Sequence, residues 1–441
     1  MDGREAGKPR TAGRGVKHLK KYDAIVVGAG VTGLSTAFNL ISLRPDLSIC
    51  VVEAGNGIAT GNSSKSASGF RTSFTSDVNR KLARSTADYF IRVSSKGADI
   101  GLRQVGYLYL IADDRFAHFS SVAERLNRNG SALRIIDAGS LEKMIPGIVV
   151  EPASEDAEIM GLHRIGGGIF DPVAGIMDPV KVCEHYYAAA LAGGVDFLFN
   201  TRVQEFITEA DRPLGIPGEP FGWQKAQVGG VKTARGDIRG RVIVAAGTWA
   251  PDIVNAIGVD ARARPKTRQI FVLRGQQLAD LYHNGNFSTA GTLPFTFLPG
   301  GVYLRPETSD EAFDIGFADD FGRRFGFEEY PAADESFFEM NIHPVLSEYL
   351  PVFSSIRPSG SWAGQYIINT FDSNPIIFEE YGMITVTGMS GSGILKSYAI
   401  GRIAASLFLG IEEADLGNGI SIRTDELGYR NRHVQAEELV F

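Results

Sequence analysis

Gly28, Gly30 and Gly33 stand in "VVGAGVTGLSTA" with the spacing G-x-G-x-x-G, and an acidic residue, Glu53, follows Gly33 by 20 positions. This spacing suits the holding of a pyrophosphate and a ribose. The first glycine permits a tight turn, the second lets phosphate approach the backbone, and the third lets a helix pack closely on a sheet. The helix N-terminus offers free N–H groups and the positive end of its dipole. Glu53 would accept hydrogen bonds from ribose hydroxyls. The glycine pattern alone is a weak signal, but its setting makes it strong. The β-branched run "YDAIVVG" precedes it, a helical run follows, and "SICVVE" completes a strand–helix–strand unit. A second glycine turn, "TGMSGSGILKSYAIGR", carries Gly388, Gly391 and Gly393 far along the chain. A second positive helix end suits a flavin pyrimidine ring, which gains negative charge on reduction. The same glycines would equally serve a plain strand-to-helix turn.

The segment "SSKSASGFRTSF", residues 63–74, has no helical or strand period and directly follows the nucleotide-type unit. Its residues are mostly small or hydroxylic up to Gly69, and then a single arginine, Arg71, appears. Elsewhere the patterning gives amphipathic helices in "DVNRKLARSTADYFIRVSSK" and "FAHFSSVAERLNRNG", and an alternating strand in "RQVGYLYLIAD". "PVKVCEHYYAAALAGGVDFLFNTRVQEF" reads as helix, glycine stop and strand; "DIRGRVIVAAGTWAPDIVNAIG" reads as strand, small-residue turn and helix. From about residue 266 strands follow one another without helices between them, in "RQIFVLRG", "FTFLPGGVYLRPE" and "AFDIGFAD", which predicts an antiparallel sheet. "ESFFEMNIHPVLSEYL" is a helix beside it. Residues 411–441 are polar and weakly patterned, and read as a tail.

With 441 residues the chain exceeds one simple core, so two interleaved domains are expected. No apolar run reaches the ~18 residues a membrane span needs. The N-terminus has no apolar signal-peptide core. Cys50 and Cys183 are the two cysteines and form no C-x-x-C pair, which argues against a disulfide framework or a zinc site and for a cytoplasmic setting. Residues 1–21 hold seven Lys/Arg against Asp2 and Glu5, a net +5; with −7 overall, the remainder carries −12. An acidic body excludes general nucleic-acid binding. The basic stretch reads as a solvated arm, with peripheral contact to an anionic membrane surface left open.

Taken in order, "VVGAGVTGLSTA", "VVE", "GNSSKSASGFR", "DPVKV", "RVIVAAGTWA", "YLRPE", "NTFDSNPII" and "GMSGSGILK" resemble the family of D-amino-acid oxidase, glycine oxidase and sarcosine oxidase across residues 22–410. Within that family the chain is most similar to archaeal dye-linked L-proline dehydrogenases. The resemblance implies an α/β fold. A Rossmann-type FAD-binding domain is expected from residues 22–100, 176–262 and 376–410, interleaved with an antiparallel-sheet substrate domain from 101–175 and 263–375. It implies noncovalent FAD, because no cysteine or histidine stands where relatives attach flavin. It implies hydride transfer from the α-carbon of an amino acid to flavin N5, giving an imine. A dye or quinone-type acceptor would take the electrons, and homo-oligomerisation is left open. The implied FAD contacts are Gly28, Gly30, Val31, Thr32, Gly33, Glu53 and Ala54; then Ser63, Ser64, Lys65, Ser66, Ser68 and Gly69. Further contacts are Val203, Ala246, Gly247 and Trp249, and finally Gly391, Gly393, Ile394 and Lys396. Arg71 becomes the candidate for gripping a substrate carboxylate bidentately, Lys396 a second carboxylate-facing cation, and Tyr366 a pocket wall, with Tyr303 a weaker one. The family's pocket histidines have no counterpart, so no acid–base residue is assigned. Competing readings are an oxygen-using oxidase of sarcosine, glycine or D-amino acids, a binding protein resembling the Rab GDP-dissociation inhibitors, and a non-catalytic subunit of a larger amine dehydrogenase.

Overall fold

The computed structural model describes residues 20–307, 311–317, 324–430 and 432–439. The basic stretch 1–21 therefore lies, up to residue 19, outside the described residues. Its last two residues already belong to the first strand, Lys20–Val27, which begins before the expected Tyr22.

Two eight-stranded sheets organise the chain. In the first, Lys20–Val27 lies between Gly236–Val244 and Ile49–Val52, parallel to both, and Asp196–Leu198 and Met383–Thr387 extend the parallel core outward. Ile25, Val26, Cys50 and Val51 are fully buried, because helices cover one face, and the strands Val203–Ala210 and Ala226–Thr233 with the short helix Ala250–Asn255 cover the other. Helices Val31–Leu43 and Ser397–Phe408 pack against each other so closely that a Cβ on Gly401 would lie 2.3 Å from Ser35 Oγ. Ser35 Oγ instead donates to the Ser397 carbonyl at 2.8 Å.

The second sheet runs Gly360–Asn369, Ala263–Arg274, Ala312–Phe317, Val302–Pro306, Phe295–Phe297, Tyr107–Ala112, Ile165–Asp171, Arg134–Asp137. Its pairings are antiparallel except one: Phe295–Phe297 runs parallel to Tyr107–Ala112. The expectation of a wholly antiparallel sheet is corrected there. On that side of Tyr107–Ala112 the neighbouring strand is supplied by residues 295–297, so far along the chain that no short connection dictates its direction. The strand Ile165–Asp171, "IGGGIFD", carries only a weak β signal, because three glycines dilute its two isoleucines and one phenylalanine. Its glycines make room for a neighbour, since a Cβ on Gly167 would meet the Phe116 ring at 2.3 Å.

The segment read as a tail is ordered from residue 411 to 430. Glu413–Gly417 and Ile420–Arg423 form a hairpin whose Ala414, Leu416 and Ile422 are buried. Two short strands with polar alternate residues bury too few apolar side chains to register in a composition reading.

Candidate active site

The first glycine turn is built by close packing. Gly28 has φ +108°, and a Cβ there would lie 2.6 Å from the Ala245 carbonyl oxygen. A Cβ on Gly33 would lie 2.0 Å from the Gly28 carbonyl oxygen. Gly30 differs: its Cβ would meet only the Ser63 hydroxyl, at 3.2 Å, so this face of the turn is open. Ser63 Oγ accepts from the Val31 N–H at 3.0 Å, at the head of the helix. Glu53 stands beside the turn; its two carboxylate oxygens accept from Ala29 N–H at 2.7 Å and Gly55 N–H at 2.6 Å. Val203 begins its strand just past this corner, where Thr201 N–H donates to the Glu53 carbonyl at 2.8 Å.

From this turn a cleft opens between the two sheets. Of the expected contacts, Val31, Thr32, Ser63, Lys65, Ser66, Gly247, Gly391, Gly393 and Ile394 line it, together with Tyr303 and Tyr366. Gly391 has φ +83°, and a Cβ there would strike the Tyr366 ring at 2.4 Å, so the second glycine turn is shaped to this tyrosine. Trp249 packs against Gly61, whose Cβ would lie 3.2 Å from the indole. Ala246 leads into this turn as the residue before the short helix Gly247–Trp249. Ala54 and Ser64 are exposed and do not line the cleft. Gly69 is pressed against Tyr107, whose hydroxyl leaves no room for a Cβ.

Three cleft residues carry almost no sequence signal for this role. Asn62 ties three walls together: its Oδ1 accepts from Gln365 N–H at 2.8 Å and its Nδ2 donates to Thr248 Oγ1 at 3.0 Å. Trp362 Nε1 donates to the Lys65 carbonyl at 3.1 Å. Arg268 lines the cleft with its guanidinium 5.6 Å from the centre of the Tyr366 ring. A cation inside the apolar run "RQIFVLRG" was the one available hint.

Arg71 and Lys396 do not line this cleft. They meet behind it, around one aromatic ring: the Arg71 guanidinium is 4.2 Å and Lys396 Nζ 5.4 Å from the centre of Phe74. Arg71 donates to the Tyr109 hydroxyl at 3.0 Å. Tyr109 stacks on Phe297 at 5.2 Å, and Phe297 meets Tyr303 at 5.8 Å, so an aromatic wall runs from Arg71 to the cleft. Burial pushes the Tyr109 phenol up to about 12, against the pull of Arg71, so it stays a neutral hydroxyl. Lys396 is 2 % exposed and caps helix Ser397–Phe408, a place unfavourable for a cation. Its Nζ donates to Asn79 Oδ1 at 2.5 Å. Burial, reinforced by Arg71, pulls its ammonium down to about 7.

The cleft fits a flavin dinucleotide on its own terms. Gly30 leaves a cradle at a helix N-terminus, and Gln269 on the cleft wall has a buried Nε2 without a partner. Ser68, with φ +46°, holds a second buried and unpartnered hydroxyl, one residue past the cleft-lining Ala67. Buried donors of this kind cost stability unless something accepts from them. The model for DAO, the FAD dependent oxidoreductases, matches residues 23–407. The chain belongs to this family. It is 24% identical over 411 residues to FAD-dependent oxidoreductase domain-containing protein 1 of Bos taurus, across 88% of this chain and 82% of that one. The crystal structure of L-proline dehydrogenase from P. horikoshii shares the fold with a TM-score of 0.72 at 21% identity, covering 89% of this chain and 94% of that one. Glycine oxidase from Geobacillus kaustophilus does so at 0.69 and 20%, covering 90% and 97%.

FAD is thus the dinucleotide of this DAO-family chain. The Gly28–Gly33 turn and Glu53 would hold its pyrophosphate and ribose, and the 63–66 and 391–394 segments would hold its ring system. Cys50 and Cys183 are buried in the two cores of the first sheet, and neither lines the cleft. Acid precipitation of the purified yellow protein is therefore expected to release all flavin into the supernatant; colour retained by the pellet would contradict noncovalent binding. Among the described residues no helix is long and apolar enough to cross a membrane.

Proposed function

We propose that this oxidoreductase is an amino-acid dehydrogenase whose first candidate substrate is L-proline, with Arg71 and Lys396 receiving the carboxylate. The observation that carries the reading is the meeting of these two cations on Phe74, at the end of an aromatic wall that reaches the cleft. A guanidinium and an ammonium together neutralise a carboxylate that would be costly to bury alone. The ring of proline is apolar and matches the Tyr109–Phe297–Tyr303 surface. Bound FAD supplies the two-electron acceptor for oxidation of the C–N bond. The chain's own residues orient the substrate and keep water away. A dye or quinone-type molecule is the proposed final acceptor. The proposed product, 1-pyrroline-5-carboxylate, has its C=N bond on the ring carbon remote from the carboxylate, so with proline the hydride leaves C5 and not the α-carbon.

The fold likeness to glycine oxidase is nearly as strong, which sustains a second reading as an oxygen-using oxidase of glycine or a related amine. Anaerobic bleaching of the bound flavin across a panel of amino acids separates the substrates. L-Proline is expected to bleach fastest, and faster bleaching by sarcosine, glycine or a D-amino acid would overturn the proline assignment. Turnover in air without hydrogen peroxide is expected of a dehydrogenase; stoichiometric peroxide would favour the oxidase.

A further inference from the structure

Residues 435–439 run across the beginning of helix Asp77–Ser95 and bind it almost residue by residue. Gln435 Oε1 accepts from the Asp77 N–H at 3.0 Å. Glu437 Oε1 accepts from the N–H and the hydroxyl of Thr75, each at 2.6 Å, and Oε2 accepts from the Ser76 N–H at 3.2 Å and Asn79 Nδ2 at 3.4 Å. The Glu438 N–H donates to Thr75 Oγ1 at 2.8 Å, and its carboxylate pairs with Arg125 at 2.5 Å. The Leu439 carbonyl accepts from both terminal nitrogens of Arg71, at 3.3 and 3.4 Å, and its side chain is buried in the cluster that contains Tyr107 and Tyr109.

Two features of this arrangement belong to a ligand more than to a brace. A carboxylate occupies a site made of two backbone N–H groups, a hydroxyl and an amide, and that site lies within the electrostatic reach of both Arg71 and Lys396. A carbonyl oxygen holds the guanidinium fork, an acceptor arrangement that a carboxylate fills better. The segment thereby engages Arg71 directly, through the Leu439 carbonyl, and sets the Glu437 carboxylate on Asn79, the residue whose Oδ1 accepts from Lys396.

We propose that Gln435–Leu439 is a displaceable strap, which holds Arg71 through the Leu439 carbonyl and sets the Glu437 carboxylate beside Asn79, the partner of Lys396, and which an anionic substrate must dislodge. This inference rests on the carboxylate-binding reading of Arg71 and Lys396. The strap sets a threshold: if it is closed nine-tenths of the time, the apparent dissociation constant of a carboxylate ligand is raised about tenfold over the open form. Substrate and strap exclude each other, so binding of one releases the other.

The test uses the full, FAD-loaded chain and tetrahydrofuran-2-carboxylate, a proline analogue with no amine to oxidise. Its binding is followed by perturbation of the flavin spectrum, and the strap by hydrogen exchange of the peptide covering residues 432–439. Wild-type protein is expected to bind the probe and, on binding, to lose protection in that peptide. Glu437→Gln is expected to bind it roughly tenfold more tightly, and Arg71→Ala more weakly. Probe binding that leaves 432–439 protected, or a Glu437→Gln variant that binds no tighter than wild type, would show a permanent brace and overturn the strap. Failure of both wild type and Glu437→Gln to bind the probe would overturn the strap and the carboxylate site together. The wild-type exchange measurement decides even if Glu437→Gln does not fold.

Discussion

Gly33→Val is expected to yield no folded, flavin-binding protein, whereas Gly30→Val is expected to yield folded protein that has lost FAD. The two substitutions add the same side chain three residues apart and differ in what that side chain meets. At Gly33 it meets backbone: the Gly28 carbonyl oxygen 2.0 Å from the added Cβ and its carbon 3.0 Å away. Gly28 cannot retreat, because it is itself held at φ +108° against Ala245. The helix must then lift from the sheet and uncover Leu34, Ala37 and Leu40, all fully buried. Core disruption of this kind lies in the upper range for single substitutions, above about 4 kcal/mol. At Gly30 the added Cβ meets only the Ser63 hydroxyl, which can rotate away. The fold survives, and valine fills the face at which the pyrophosphate must approach the N–H groups. Far-UV circular dichroism with flavin absorbance checks both, and an apoprotein gaining no thermal stability from added FAD is the expected result for Gly30→Val. Full flavin content in either variant would contradict the assignment of this turn.

Arg71→Ala is expected to cost a carboxylate substrate about 1.5–3 kcal/mol, roughly 10- to 150-fold in kcat/KM, the range for hydrogen bonds to a charged group. If Arg71 grips ground and transition states equally, KM rises and kcat holds; if it aligns the C–H bond only in the transition state, kcat falls. Prolinamide supplies the control. It lacks the carboxylate charge, should be a poor substrate of wild-type protein, and should lose little more in the variant. Equal losses for proline and prolinamide would mean that Arg71 supports the Tyr109–Phe74 packing instead of the substrate. Lys396→Met is expected to act in the same sense with a smaller loss, and to change the pH dependence. The Lys396 ammonium is held down to about 7 by burial first and then by Arg71, with Glu437 and Asp372 opposing and Arg432 adding to the depression. A carboxylate favours the protonated lysine, so tetrahydrofuran-2-carboxylate should bind less tightly as pH rises above about 7. The Lys396→Met variant should lose that dependence. A pH profile identical in both proteins would remove Lys396 from the site.

The nucleotide-type unit was legible in the sequence because its requirements are local. A tight turn, a close helix contact and an acidic residue at a strand end are each satisfied within about thirty residues, by residue types that have few alternatives. Gly28, Gly33 and Glu53 accordingly stand where their spacing puts them. The cleft was legible in part: Gly391 announced a turn, but only the packing of its Cα against the Tyr366 ring ties that turn to the cleft wall. Asn62, Arg268 and Trp362 were invisible because an asparagine in a polar run, or a cation in a strand, acquires a role only from the partners that folding brings to it. The same holds most strongly for Arg71. Its residue type announced an anion, yet the acceptors it meets in the structure are the Tyr109 hydroxyl and the Leu439 carbonyl, the latter 368 positions away in a segment that reads as a tail. Backbone conformation is dictated by neighbours in sequence and is written there. Which donors meet which acceptors is dictated by the burial of both sheets together, and only the tertiary structure decides it.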